Sequence, residues 1–183
     1  MMGADWIAYQ ASEMKWQPPP EPWTNHDFLP IATMYAVGYV PDSDYLLVLS
    51  ETGRGVFDCR TGERVGRDRN PNEHEWWDTK CLIAQGIPPV ANQSIRTVGH
   101  YGGGLKKFAA DLWHLERIAP YWPLESIVLS QSSRGRWSAE WFDESYKIFP
   151  NGDGDSILAY GFSDTDKSFV IACSSGILLY SRL

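Results

Sequence analysis

Residues 34–58 read MYAVGYVPDSDYLLVLSETGRGVFD, and laid without a gap over residues 157–181, ILAYGFSDTDKSFVIACSSGILLYS, they match at a constant offset of 123 positions. Gly38 falls on Gly161, Tyr39 on Phe162, the run Leu46-Leu47-Val48 on Phe169-Val170-Ile171, Gly53 on Gly176, and Val56-Phe57 on Leu179-Tyr180. Each copy reads as strand, turn, strand, turn, strand. Pro41-Asp42-Ser43-Asp44 and Asp164-Thr165-Asp166-Lys167 are turn formers, because Asp and Ser side chains bond nearby backbone and Pro presets φ. The apolar runs that follow are short enough for buried strands and too short for a typical helix. Glu51-Thr52-Gly53 and Ser174-Ser175-Gly176 then close hairpins, with Gly supplying the positive φ such turns need.

Residues 47–57 can also be laid on residues 127–137 at an offset of 80, with Val, Leu, Ser, Arg and Gly identical. The two offsets differ by 43, which lies within the roughly 40 to 45 residues of a propeller blade of the WD40 type. A fourth copy falls due around residues 87–118. There Ser94-Ile95-Arg96-Thr97-Val98-Gly99 and Leu112-Trp113-His114-Leu115-Glu116-Arg117-Ile118 alternate like strands, around a Gly-rich run longer than a tight turn.

Phe57-Asp58 followed by Thr61-Gly62-Glu63 resembles the outer hairpin of a β-propeller blade, and residues 161–170 resemble the inner hairpin of WD40-like repeats. The resemblance implies a scaffold rather than a chemistry. About 150 residues follow the first 30, roughly three and a half units at the blade period, whereas a propeller takes about four to eight blades. The expected fold is therefore mainly β: an antiparallel sheet or sandwich of repeated propeller-like hairpins with a short N-terminal helix, and a closed small propeller as the alternative. Residues 1–30 read as a helix and a Pro-rich arm, and residues 31–183 as a single β-rich domain. The helix is expected over residues 5–15, ended by Pro18-Pro19-Pro20-Glu21-Pro22, which cannot continue it and reads as either a strap across the sheet or a flexible arm. Residues 64–80 read as a polar irregular stretch, and residues 137–149 as a helix followed by a strand.

Net charge of −7 and a pI near 5.0 argue against nucleic acid, whose phosphates are held by Lys and Arg. One local exception is the cluster Arg60, Arg64, Arg67 and Arg69, interrupted by Glu63 and Asp68; its bland reading is a solvated loop with internal ion pairs, and the other is a site for an acidic partner or ligand. Cys59, Cys81 and Cys173 form no Cys-x-x-Cys and cannot all pair within the chain, and Cys59 and Cys173 sit in strand-like surroundings suited to a small buried apolar residue. No signal peptide and no membrane span is visible, so the expectation is a soluble cytoplasmic protein with no membrane partner.

The loop His100-Tyr101-Gly102-Gly103-Gly104-Leu105-Lys106-Lys107 is the most suggestive of a ligand, since glycines let backbone N–H groups approach an anion while lysines supply charge. It lacks the spacing of a P-loop. Asn151-Gly152-Asp153-Gly154-Asp155 imitates the start of a calcium loop, but Ser156 stands where Gly is required and Phe162 where a bidentate Glu belongs. The four histidines share no ligand-like spacing, and no hydrolase, zinc-protease or dinucleotide motif occurs. No catalytic residue, metal or cofactor is implied. Nine tryptophans fill a core or form an interface platform, and adjacent Trp76 and Trp77 in a polar stretch are the candidates for exposure.

Two readings follow. The first is a non-catalytic module binding a protein partner through Trp76, Trp77, Arg67 and Arg69, of the kind an inhibitor or immunity-type protein would be. The alternative is a small-molecule or glycan-binding protein, or a hydrolase, with His100, Tyr101, Gly103 and Lys106 as contacts.

Overall fold

In the computed structural model of the chain, the described residues are 4–131, 137–150 and 155–182. A helix α1 (Ala4–Glu13) is followed by two short strands, β1 (Thr24–Asn25) and β2 (Leu29–Pro30). A meander comes next: β3 (Met34–Tyr39), β4 (Tyr45–Ser50), β5 (Gly53–Asp58) and β6 (Glu63–Asp68). A 3-10 turn at Glu73–Glu75 leads to β7 (Trp77–Asp78), β8 (Ile83–Gln85), β9 (Ser94–Arg96) and β10 (Val98–Gly99). Then come β11 (Trp113–Tyr121), β12 (Leu124–Gln131), a second helix α2 (Ala139–Asp143) and β13 (Ser145–Pro150). The last hairpins are β14 (Ile157–Phe162), β15 (Ser168–Cys173) and β16 (Gly176–Ser181). The protein is mainly β, and all pairings between these strands are antiparallel.

The chain forms two compact units, Pro22–Lys106 with Ile157–Leu183, and Met1–Glu21 with Lys107–Ser156. In the larger, one sheet has the order β10-β3-β4-β5-β6, a second runs β1-β16-β15-β14 with β2 also on β16, and a third is β7-β8-β9. Residues 22–30, within the segment read as an arm, are thus a strap: β1 and β2 pair with the last strand, and Trp23 packs on Phe169 at 4.8 Å.

Every strand of residues 34–58 has its counterpart 123 positions later. Even the bulges coincide, the β3–β4 register shifting between Met34 and Ala36 and the β14–β15 register between Ile157 and Ala159. The matched glycines share a physical reason. A Cβ on Gly38 would collide with the Arg96 carbonyl, and one on Gly161 with Leu105 and the Lys106 carbonyl. At both positions a neighbouring segment lies directly against the strand.

The apolar runs are continuous rather than alternating because both faces of the β3–β6 sheet are covered. Leu46, Val48 and Phe57 join Val170, Ala172, Ile177 and Leu179 in one core, while Leu47, Leu49 and Val56 join Trp76, Trp77, Ala84 and Ile95 in another. Successive side chains point to opposite faces, so one strand feeds two cores.

In the smaller unit, β11, β12 and β13 form a meander. Ala11 of α1 and Trp141 and Phe142 of α2 cover Ile118 and Val128. Ser138 caps α2, its hydroxyl accepting from the Trp141 N–H at 3.1 Å. The helix-then-strand reading of residues 137–149 and the helix near residue 5 both match these elements. The stretch 64–80 is more ordered than expected, since it holds most of β6 and all of β7. The turn of the copy at residues 127–137 falls on residues 132–136, and the acidic turn on residues 151–154, and both lie outside the described residues. No helix among the described residues is long and apolar enough to cross a membrane.

Candidate functional site, an arginine-lined cleft on the edge strand

Strand β6 ends its sheet, pairing with β5 alone among the described residues. Its register contains a bulge: Val56 pairs with Gly66, but Phe57 pairs with Arg64, leaving Val65 extra. Residues three apart in a regular strand point to opposite faces; one bulged residue between them brings both to the same face. Arg64 and Arg67 therefore stand together, opposite Phe57 and Gly55 respectively.

A cleft of about 140 Å³ opens there. It is lined by Val48, Gly55 and Phe57 of the sheet, by Pro30, Ile31 and Ala32, by Arg64 and Arg67 of β6, and by Ser50 and Thr52. Gly55 makes the space, since a Cβ placed on it would meet only ordinary contacts, the nearest the Phe57 ring at 3.4 Å. Arg67 is anchored by its Nη2, which donates to the Thr52 carbonyl at 2.9 Å and to Thr52 Oγ1 at 2.7 Å. Its Nε and Nη1 hydrogens are left for another acceptor.

Two of the carboxylates nearby are committed elsewhere. Asp68 is paired with Arg54, Nη2 to Oδ2 at 3.0 Å, and Asp58 with Arg60 at 2.8 Å. Among the described residues, Arg64, Arg67 and Arg69 form no ion pair, contrary to the expectation of a self-neutralised loop. Partial burial and then repulsion from Arg64 and Arg69 push the Arg67 guanidinium below its ordinary value. The site is an unneutralised positive corner.

Comparison with family models, curated proteins and solved structures finds no match for this chain. Function has to be read from the site itself.

The other sequence candidates fall in different places. Trp76 and Trp77 are each only 4% exposed, which corrects the expectation of an exposed platform. The small β7–β9 sheet cannot make a core of its own, and the two indoles join Ala84, Ile87 and Ile95 in packing against the β3–β6 sheet. Trp76 lies under the Arg54 guanidinium at 4.9 Å. Trp77 stacks on Tyr35 at 5.2 Å and donates to Thr97 Oγ1 at 2.9 Å. Burial with the N–H satisfied is the favourable arrangement for such a ring.

The glycine loop stays at the surface. His100, Tyr101 and Gly103 are exposed, and Tyr101 leans on Trp77 at 5.5 Å. Lys106 Nζ is bound to Asp166 Oδ1 at 2.6 Å, so its charge is already answered. Of the residues named as contacts from sequence only Arg67 lines the cleft; Arg64 was seen only as a member of the arginine cluster, and Ser50, Thr52 and Gly55 were missed. The interrupted Arg cluster was the visible signal; the bulge that gathers it was not.

Proposed function

We propose that the chain is a non-catalytic binding protein, a scaffold of propeller-like hairpin sheets whose outermost strand β6 receives an acidic segment of a protein partner. The propeller-like reading is supported by matched strands at a fixed offset, matched bulges, and a sheet that buries both faces against its neighbours. The binding reading is carried by one observation: three arginines without ion-pair partners, on and beside an unpaired strand edge, in a chain of net charge −7. Bulges and charges on an edge discourage indiscriminate strand pairing. They leave room for an extended segment of opposite charge, added by main-chain bonds and chosen by its side chains.

At the β6 cleft itself, size favours a peptide side chain over a small molecule or glycan, since 140 Å³ is well under the roughly 300–1,000 Å³ of a typical ligand pocket. The test is fluorescence anisotropy with two labelled peptides, one alternating Glu and Val and one alternating Lys and Val. The Glu peptide is expected to bind, more weakly as salt rises, and about tenfold or more weakly to the Arg64→Glu/Arg67→Glu protein. Lys15→Glu/Lys80→Glu, at exposed positions outside β6 and the cleft lining, makes the same change in net charge and is the control. Equal binding of both peptides, or of parent and β6 variant, sinks this reading.

A further inference from the structure

We infer that the cleft beside β6 is a socket for one carboxylate on a short aliphatic stem, the head group of a glutamate side chain. This rests on β6 as the docking edge and adds the chemistry of its central contact. A cleft of 140 Å³ is below the size of a typical ligand pocket and admits a carboxylate on a short stem.

The lining offers both kinds of contact such a group requires. Ile31, with the little that the core residues Val48 and Phe57 expose, offers apolar contact for methylenes, and Arg64 and Arg67 offer guanidinium donors for the oxygens. Arg67 is held in place by Thr52, so less side-chain freedom is lost when an anion arrives. Gly55 is the opening: any side chain beyond a methyl there would occupy the stem's position. The apolar lining also separates a carboxylate from inorganic phosphate, which has no stem to bury and would have to shed water from a tetrahedral shell against Val48 and Phe57.

The experiment is a titration of the isotope-labelled whole chain with sodium propionate, sodium phosphate and, for ionic strength, sodium chloride, following backbone amide signals. Propionate is expected to move the Gly55 and Gly66 amides and to saturate, with chloride producing no saturating shift. Arg67→Gln should weaken propionate about tenfold or more, the usual weight of a charge-assisted hydrogen bond. Gly55→Val should abolish the effect while the amides of β14–β16 stay where they are. If Gly55→Val does not fold, Arg64→Gln takes its place with the same expectation of about tenfold.

Propionate shifts that merely follow chloride, or that survive both Arg variants, overturn the socket. So does saturation by phosphate with none by propionate. The outcomes also separate the two proposals: propionate binding without any Glu-peptide binding removes the docking edge and keeps the socket. Peptide binding that is blind to Arg67→Gln does the reverse.

Discussion

Arg64 and Arg67 share a face only because Val65 is an extra residue, so the chemistry of this surface turns on a single register shift. Their neighbours follow the ordinary rule that a buried charge is paired. Asp58 is the clearest case: Arg60 Nε and Nη2 grip its two oxygens at 3.0 and 2.8 Å, and the Arg60 backbone N–H adds a third bond. Those bonds hold the Asp58 carboxyl below the usual carboxylate range. A depressed folded value means stability that is complete above the unfolded value, about 3.9, and lost as pH falls through the folded one. Urea midpoints taken from about pH 5 to about pH 2 should therefore decline less steeply in Asp58→Asn than in the parent. Identical slopes would clear Asp58 of any part in acid unfolding. The cysteines make a second residue-level prediction. Cys59 and Cys173 are buried and Cys81 exposed, and burial pushes the Cys59 thiol up. A thiol reagent should label Cys81 alone in the native protein and all three in denaturant; native labelling of Cys59 would contradict the core described.

At the scale of the element, the repeated hairpin is constrained by what lies beside it. Gly38 and Gly161 are matched in sequence and both lie under a passing segment, so contact excludes a side chain at both, and at Gly161 a φ of 154° disfavours one as well. Gly38→Ala forces a methyl into the Arg96 carbonyl and should cost about 1–3 kcal/mol by chemical denaturation, the range of an overpacked core. A loss under 0.5 kcal/mol, the size of a surface substitution, would mean that β9 does not rest on β3. The strand pattern of these hairpins was legible from the sequence because turn formers and short apolar runs are local signals. The place of Trp76 and Trp77 was not. A polar sequence context described their chain neighbours, whereas burial depends on the β3–β6 sheet that arrives from elsewhere in the chain.

For the whole molecule, two features matter: charge and the separateness of the cores. A net charge of −7 by itself points to a basic partner, but screening confines a charge's influence to about 8 Å at physiological salt. The proposed docking on β6 therefore rests on the local corner of Arg64, Arg67 and Arg69, and binding there should lose strength with salt rather than gain speed from long-range steering. Each compact unit has its own apolar cluster, with Trp141 fully buried in the smaller. Trp141→Ala should cost that unit about 3–5 kcal/mol. Hydrogen exchange should report the loss in β11–β13 and leave the β3–β5 amides unchanged. Loss of protection in both units by the same amount would show that they unfold as one.

The sequence by itself determined the mainly β character, the N-terminal helix, and the position of every strand in the two matched segments, because those depend on neighbours along the chain: turn residues, run lengths and a helix-ending proline run. It also displayed the arginine cluster. Only the tertiary structure decided which arginines stand together, which carboxylates are already taken, and that the paired tryptophans face inward. Those outcomes depend on a bulge, on Asp68 meeting Arg54 across the strand pair, and on a sheet covered on both faces. None of these has a signature in residue spacing, since each is a relation between strands rather than a property of one.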